Sequence, residues 1–286
     1  MTATLTSALR APWKAPSALP GFSVTLAYTL IYLTIIVLIP IAALFSRAAR
    51  LGLGGVIAAA LEPRAFASLK VSFGVSIAAT AVDVVFGVIV AWTLTRYRFP
   101  GRRLLDAAVD LPFALPTAVA GIALSSLYAP NGAFGAPLAK LGVKIAYTPW
   151  GILVALVFVG LPFVVRTLEP IIEELELELE EASATLGASR WRTLRRVLAP
   201  QLTPAILTGA ALAFARGVGE YGSVIFIAGN IAYVSEIAPL TIIVKREEYN
   251  YDGATAIAAI MLVVSFATLF VINATQSWSR RRLGHV

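Results

Sequence analysis

Cysteine is absent from the chain, and histidine occurs once, at His285 in the tail. Without thiols there are no disulfides, no haem attachment, no iron–sulfur ligation and no thiol nucleophile, and one tail imidazole excludes metal or His-based catalysis. No cofactor and no metal is expected. Charge is scarce as well: Asp, Glu, Lys and Arg make up 14% of the 286 residues, against 58% hydrophobic residues and a mean hydropathy of +0.82. Too little polar surface remains to cover a soluble globule of this length, so lipid must do the covering. No Gly is followed by Lys, so the G-x-x-x-x-G-K-[ST] phosphate loop is missing. No paired carboxylates share an aqueous cleft with a candidate nucleophile either. The chain is therefore not expected to be an enzyme. Its net charge of +7 is dispersed at the ends of apolar segments and forms no continuous patch, which argues against nucleic acid as a partner.

What is present is a series of apolar runs: Phe22 to Phe45, Ala67 to Leu94, Ala107 to Tyr128, Trp150 to Leu168, Pro204 to Ile227 and Thr255 to Thr275. Each is read as a membrane-spanning helix against the ~20 residues that a span needs. The expectation is an all-α membrane protein with six transmembrane helices. Residues 1 to 20 are polar and Pro-rich. The run that follows exceeds the 7 to 15 residues, about, of a signal peptide's apolar core, so it is read as a retained span kinked at Pro40. Alternate loops then carry unequal positive charge. Arg10, Lys14, Arg96, Arg98, Arg102, Arg103, Arg166, Arg190, Arg192, Arg195, Arg196 and Arg280 to Arg282 fall on one side, fourteen in all. Arg47, Arg50, Arg64, Lys70, Lys140, Lys144, Lys245 and Arg246 fall on the other, eight in all. Positive charge marks the inside, so both termini are expected in the cytoplasm.

The longest charged stretch, Glu173 to Pro200, lies on that same side. Ile172, Leu175, Leu179, Ala182 and Leu186 recur at steps of three and four, the period of one helical stripe. Gly187 suits a C′ residue with positive φ, and Ser189 can cap a second short helix with Trp191, Leu194 and Leu198 on its apolar face, stopped by Pro200. A solvated loop helix between two spans is the plainer reading. Two further stretches bear on transport. Pro112 and Pro116 weaken the start of the third helix, beside Thr117 and Gly121, and such a broken helix either packs with a kink or borders a pathway. On the fifth helix Arg216 and Glu220 put two charges inside the membrane four residues apart, followed by Ser223. They read as a self-neutralising packing pair, with Asp83 as a further member, or as the lining of an anion path. On the second helix Ser72, Ser76, Thr80, Asp83 and Gly87 share one small, polar stripe that suits a cavity or a close helix contact, and the charge at Asp83 demands a partner.

Glu181-Ala182-Ser183, with Gly187 six residues after Glu181 and Val197-Leu198-Ala199-Pro200 at the end, resembles the EAA loop of binding-protein-dependent ABC importer permeases. Ser183 stands where the family has a second Ala. Arg98-Phe99-Pro100-Gly101, the Leu-Pro elements at Pro112 and Pro116, and the run from Phe214 to Ser223 with Ala228-Gly229-Asn230 are similar to the permease subunits of sulfate/thiosulfate importers. Among these they most resemble the T-type subunit; molybdate permeases share the elements more loosely. The resemblance implies a type I ABC importer permease fold in the bacterial inner membrane. It also implies a W-type permease as heterodimer partner, two cytoplasmic ATP-binding subunits, a periplasmic sulfate/thiosulfate-binding protein and contact with membrane lipid. Glu181, Ala182, Ser183, Gly187 and Pro200 would couple to the ATPase. Arg216, Glu220, Ser223, Pro116, Thr117 and Asp83 are the candidates for the substrate path. The chain is expected to divide into residues 1–64 with the first helix, a transmembrane domain at 65–276, and a basic tail at 277–286. A molybdate/tungstate permease and an ion-gradient-coupled anion transporter are the alternatives.

Overall fold

The computed structural model describes residues 21–282, with side chains to Ala274; Arg10, Lys14 and His285 lie outside the described residues. Among those described there is no strand. Residues up to Arg50 form one compact unit and those from Leu51 onward another. The first apolar run is longer than expected: α1 (Phe22–Leu33), a π-helical turn (Thr34–Leu38) and α2 (Ile39–Leu61) make one segment of 40 residues. Pro40 has no N–H for the carbonyl four residues back, and the ladder adapts just ahead of it: Ile39 N–H bonds Thr34 O, five residues back. Within α2, Gly52 at φ 68, ψ 162 interrupts the helix.

The second unit is built on three helices. Pro63 opens α3 (Pro63–Arg96), where its missing N–H costs nothing. At 1.5 Å per residue its 34 residues extend ~51 Å, well beyond a hydrocarbon core of about 30 Å. Then come α4 (Arg102–Val109), α5 (Leu111–Ala114), α6 (Thr117–Tyr128), α7 (Gly135–Lys140) and α8 (Pro149–Glu174). The charged stretch follows as α9 (Leu177–Thr185), α10 (Arg190–Thr193) and a second π-helical turn (Leu194–Leu198), which leads into α11 (Ala199–Val218). Short α12 (Val224–Ile227) and α13 (Ala238–Glu247) precede α14 (Tyr251–Arg282).

α3, α8 and α11 pack on one another, with α14 against α11 and α13. Lipid gives helices no hydrophobic reason to associate, so close contact must come from small residues. Here glycine supplies it: a Cβ at Gly87 would strike Val164, one at Gly160 would strike the Asp83 carboxylate, and one at Gly209 would press on the Val164 backbone. Leu94, Val164, Val165, Leu168, Ile172 and Leu202 fill the buried space between these helices.

Among the described residues, five segments are long and apolar enough to cross a membrane: Phe22–Leu61, Pro63–Arg96, Pro149–Glu174, Arg190–Val218 and Tyr251–Ala274. The expected third span, Ala107 to Tyr128, is instead broken into α4, α5 and α6, with Leu115 and Pro116 in extended conformation. A residue before proline is driven out of the α region, and Pro116 follows Leu115. α6 alone reaches only ~18 Å, less than a bilayer core. The expected fifth span, Pro204 to Ile227, also ends early, at Val218.

Candidate functional site

The charged stretch is held at the end of the bundle by few contacts. α8 stops at Glu174, and Leu175 and Glu176 are extended, so the stripe expected on a single helix is split across two. Leu175 remains buried while Ala182 and Leu186 face outward, Leu186 at 87% exposure. Arg96, in the last turn of α3, spans the break. Its Nη2 donates to the Leu175 carbonyl at 3.2 Å and stands 3.2 Å from Glu180 Oε1. Farther along, the Ser183 and Thr193 hydroxyls share a hydrogen bond of 2.8 Å that closes the turn between α9 and α10. Gly187 lies in that turn at φ 76, its N–H donating to Ala184 O at 2.9 Å, and a Cβ there would touch nothing within 4 Å.

Two expectations for the second arm fail. Ser189 occupies the N-cap position without a side-chain hydrogen bond. Pro200 does not stop the helix, because the π turn at Leu194–Leu198 absorbs the lost donor: Ala199 N–H bonds Leu194 O and the helix runs on to Val218. That inserted residue resets the buried face. Thr193 and Leu198, five apart, are buried, while Trp191 and Leu194, which an α period groups with Leu198, are 67% and 41% exposed. Glu181, Ala182, Leu186, Trp191 and Arg190 are all exposed within this one region. It forms a mixed apolar and charged knob that this chain leaves uncovered.

The second constellation lies where α11 ends. Gly219 breaks the helix, and Glu220 is left on the turn, 3% exposed. Ser223 N–H and Oγ–H each donate to Glu220 Oε1 at 2.9 Å, and Oε2 pairs with Arg216 Nη1. The carboxylate therefore holds the start of α12 while Arg216 sits in the final turn of α11, where a cation complements the helix dipole. Arg216 is one-third exposed, and its remaining N–H donors have no partner among the described residues. α6 closes against this turn: a Cβ on Gly121 would strike Ser223 backbone, and one on Gly222 would strike Thr117. Arg216, Glu220, Ser223, Thr117 and the Pro116 cap of α6 thus converge on two facing helix breaks.

Asp83 does not join them. It is 1% exposed within the three-helix packing, with its carboxylate against Gly160, and its Oδ1 has no hydrogen-bond partner. The partner that its charge demanded is absent among the described residues. Three other members of its stripe are packed: Ser72 Oγ accepts Ala238 N–H at 2.8 Å, Ser76 lies against Gly217, and Gly87 meets Val164.

Sequence reasoning missed three clusters. Arg166, counted with a loop, stands inside α8 and binds three carboxylates: Asp106 and Glu169 through Nη1, each at 2.6 Å, and Asp110 through Nε and Nη2 at 2.8 and 2.6 Å. Arg64 with Glu236 and Lys245 with Glu62 tie α13 to the start of α3 at 2.8 and 2.6 Å. The last two pairs join residues more than 170 positions apart, which no local pattern reports. The i, i+3 spacing of Arg166 and Glu169 was the one visible signal.

Residues 83–285 match the family model of binding-protein-dependent transport system inner membrane components. The sulfate transport system permease protein CysT of Synechococcus elongatus is 50% identical over 96% of this chain and 99% of its own length. Its counterpart of the same name in Escherichia coli is 48% identical over 93% and 97%. Among solved structures, a bacterial ABC transporter that imports the acidic polysaccharide alginate superposes with a TM-score of 0.73 at 17% identity, covering 91% of this chain and 95% of that one.

Proposed function

Because the chain belongs to the binding-protein-dependent transport system inner membrane component family, we propose that it is the permease subunit of an ATP-driven importer carrying sulfate, and thiosulfate with it, across the bacterial inner membrane. The observation that carries the reading is identity at about half of all positions, end to end, with two sulfate permeases. It is a transport subunit without enzymatic activity; ATP is hydrolysed by other chains of the complex. A W-type permease completes the channel, a periplasmic sulfate/thiosulfate-binding protein delivers the anion, and two cytoplasmic ATP-binding subunits drive it. The Lys and Arg asymmetry supports both termini in the cytoplasm.

The uncovered knob around Glu181, Ala182 and Gly187 is what such an ATPase would grip. With Ser183 and Thr193 joined beneath it, α9 and α10 move as one piece, and Pro200 with the π turn passes that motion into α11. The far end of α11 carries Arg216. One guanidinium nitrogen is anchored on Glu220 and the others are open, so an anion passing between α6 and α12 meets a positive fork that is partly neutralised. Partial neutralisation matters because an isolated guanidinium would hold a dianion instead of releasing it.

The test is uptake of radiolabelled sulfate by cells whose own sulfate permeases are deleted and which carry this chain with its partners. Sulfate uptake is expected to be competed by thiosulfate and not by molybdate. Competition by molybdate or tungstate alone would move the assignment to those oxyanions, and uptake that survives inactivation of the ATPase would end the ATP-driven reading.

A further inference from the structure

Three arginines at the junction of α3 and α4, Arg98 on the loop and Arg102 and Arg103 in the first turn of α4, have no acid to answer them. Arg98, Arg102 and Arg103 line one open cavity of about 330 Å³ together with Phe99 and Gly101. The sequence offers a partner, since Asp106 lies four residues after Arg102 and three after Arg103, the spacings at which opposite charges meet on a helix. The fold diverts it. Asp106 Oδ1 and Asp110 both bind Arg166 on α8, and Glu169 does so from α8 itself. Among the described residues, no ion pair reaches Arg98, Arg102 or Arg103.

Two more features converge on the cavity. Gly101, at φ 88, is the N-cap of α4 and provides no capping side chain; the Arg102 N–H donates to Phe99 O and those of Leu104 and Leu105 to Gly101 O, so the Arg103 N–H and the positive end of this eight-residue helix's dipole add to the three guanidiniums. Directly after the arginines, Leu104 is 77% exposed and Leu105 39%. Cations beside outward apolar side chains are the pattern of a helix that lies at a membrane surface. Depth agrees: the cavity follows the last turn of α3, whose ~51 Å length carries it past the hydrocarbon core, at the same end as the Arg96 contact to Leu175.

We propose that this loop binds a tetrahedral oxyanion, the phosphate of an anionic phospholipid headgroup, between Arg98, Arg102, Arg103 and the start of α4, with the acyl chains alongside Leu104 and Leu105. A free oxyanion would satisfy the guanidiniums but leave the two leucines uncovered, and lipid answers both. Because α4 also carries Asp106 and is followed directly by Asp110, the site anchors at the membrane surface the helix that Arg166 holds to α8.

The experiment uses the chain assembled with its transporter partners, in phosphatidylcholine nanodiscs with and without phosphatidylglycerol. Phosphatidylglycerol retained on the complex is counted by native mass spectrometry across a salt series. The R98Q/R102Q/R103Q variant should bind it about a hundred-fold more weakly, given the contribution of each basic residue near a charged surface. Retention by the parent should fall as salt rises. The matching Arg→Lys variant should keep most binding, showing that the Gln variant fails through charge and not misfolding. Equal retention by parent and Gln variant would overturn the site. Equal loss in K140Q/K144Q, which removes positive charge elsewhere, would overturn its locality. Displacement of phosphatidylglycerol by millimolar inorganic sulfate would overturn the lipid as occupant and assign the arginines to a soluble oxyanion.

Discussion

Arg96→Gln asks what keeps α9 against the bundle. Arg96 lies over the Trp92 ring at 5.3 Å, donates to the Leu175 carbonyl at 3.2 Å and stands 3.2 Å from Glu180. Leu175 is buried just past the end of α8, so its carbonyl has no helical partner, and stripping its donor costs about 1–3 kcal/mol. Glu180 is one-third exposed, and water takes over much of what the ion pair supplies, leaving ~0.5 kcal/mol. Removing the buried and unpartnered Arg96 Nε returns part of this. The balance is roughly 2 kcal/mol, or about thirtyfold in the equilibrium between docked and detached α9. Amide hydrogen exchange reads that equilibrium directly, because local opening limits exchange in a segment held by few contacts. Amides from Leu179 to Ser183 should exchange about thirtyfold faster in R96Q, two- to threefold faster in E180Q, and in between in R96K. In the assembled transporter R96Q should hydrolyse ATP with little sulfate carried per turnover. An R96Q exchange profile that overlays the parent's would refute the idea that Arg96 holds α9.

Gly187→Asp should insert and assemble yet lose uptake; its positive φ strains a side chain by about 1 kcal/mol, while the added Cβ meets nothing of this chain within 4 Å, so the carboxylate projects from the exposed turn toward a docking partner. Parental uptake by G187D, with normal ATPase co-purification, would dismiss the docking role. R216L/E220Q should abolish sulfate uptake in an assembled complex and R216K restore it in part, since Lys lacks the planar fork; parental uptake by the double variant would assign the pair to packing. Gly160→Ala should lower thermal stability by about 1–3 kcal/mol by driving a methyl against the buried Asp83 carboxylate, and an unchanged melting temperature would show that α3 and α8 can separate there. A reporter fused after His285 should be active only as a cytoplasmic marker, and periplasmic activity would reverse the topology.

Local chemistry explains which features were readable. Pro112 and Pro116 announce a broken third helix because proline acts on its immediate neighbours, and the break falls at Leu115–Pro116. Gly187 announces a positive-φ turn for the same reason, and the pairing of Arg216 with Glu220 follows from a spacing of four. Trp191 and Leu194 were misplaced because an α period was carried through a stretch that holds one extra residue, and nothing in Arg190 to Leu198 signals a π turn apart from Pro200 downstream. The Arg166 cluster and the pairs tying α13 to α3 depend on tertiary approach, which periodicity does not encode. Asp83 was expected to find a charge and instead has its carboxylate against Gly160, because it lies where α3 packs closely on α8.

The glycine contacts among α3, α8 and α11 decide where the molecule can bend. Gly87 against the Val164 side chain, Gly160 against the Asp83 carboxylate and Gly209 against the Val164 backbone leave no room for even a Cβ, so the three helices form a tightly packed wedge that turns as a solid. Each interruption of regular helix near the candidate site falls outside that wedge: Leu115–Pro116, Leu175–Glu176 and the Gly219–Ser223 turn. A push delivered at α9 therefore cannot be dissipated by flexing the middle of the membrane. On the proposed function, a stroke taken in at α9 reappears as rotation about these three joints, two of which flank the Arg216 fork, where α6 packs on α12.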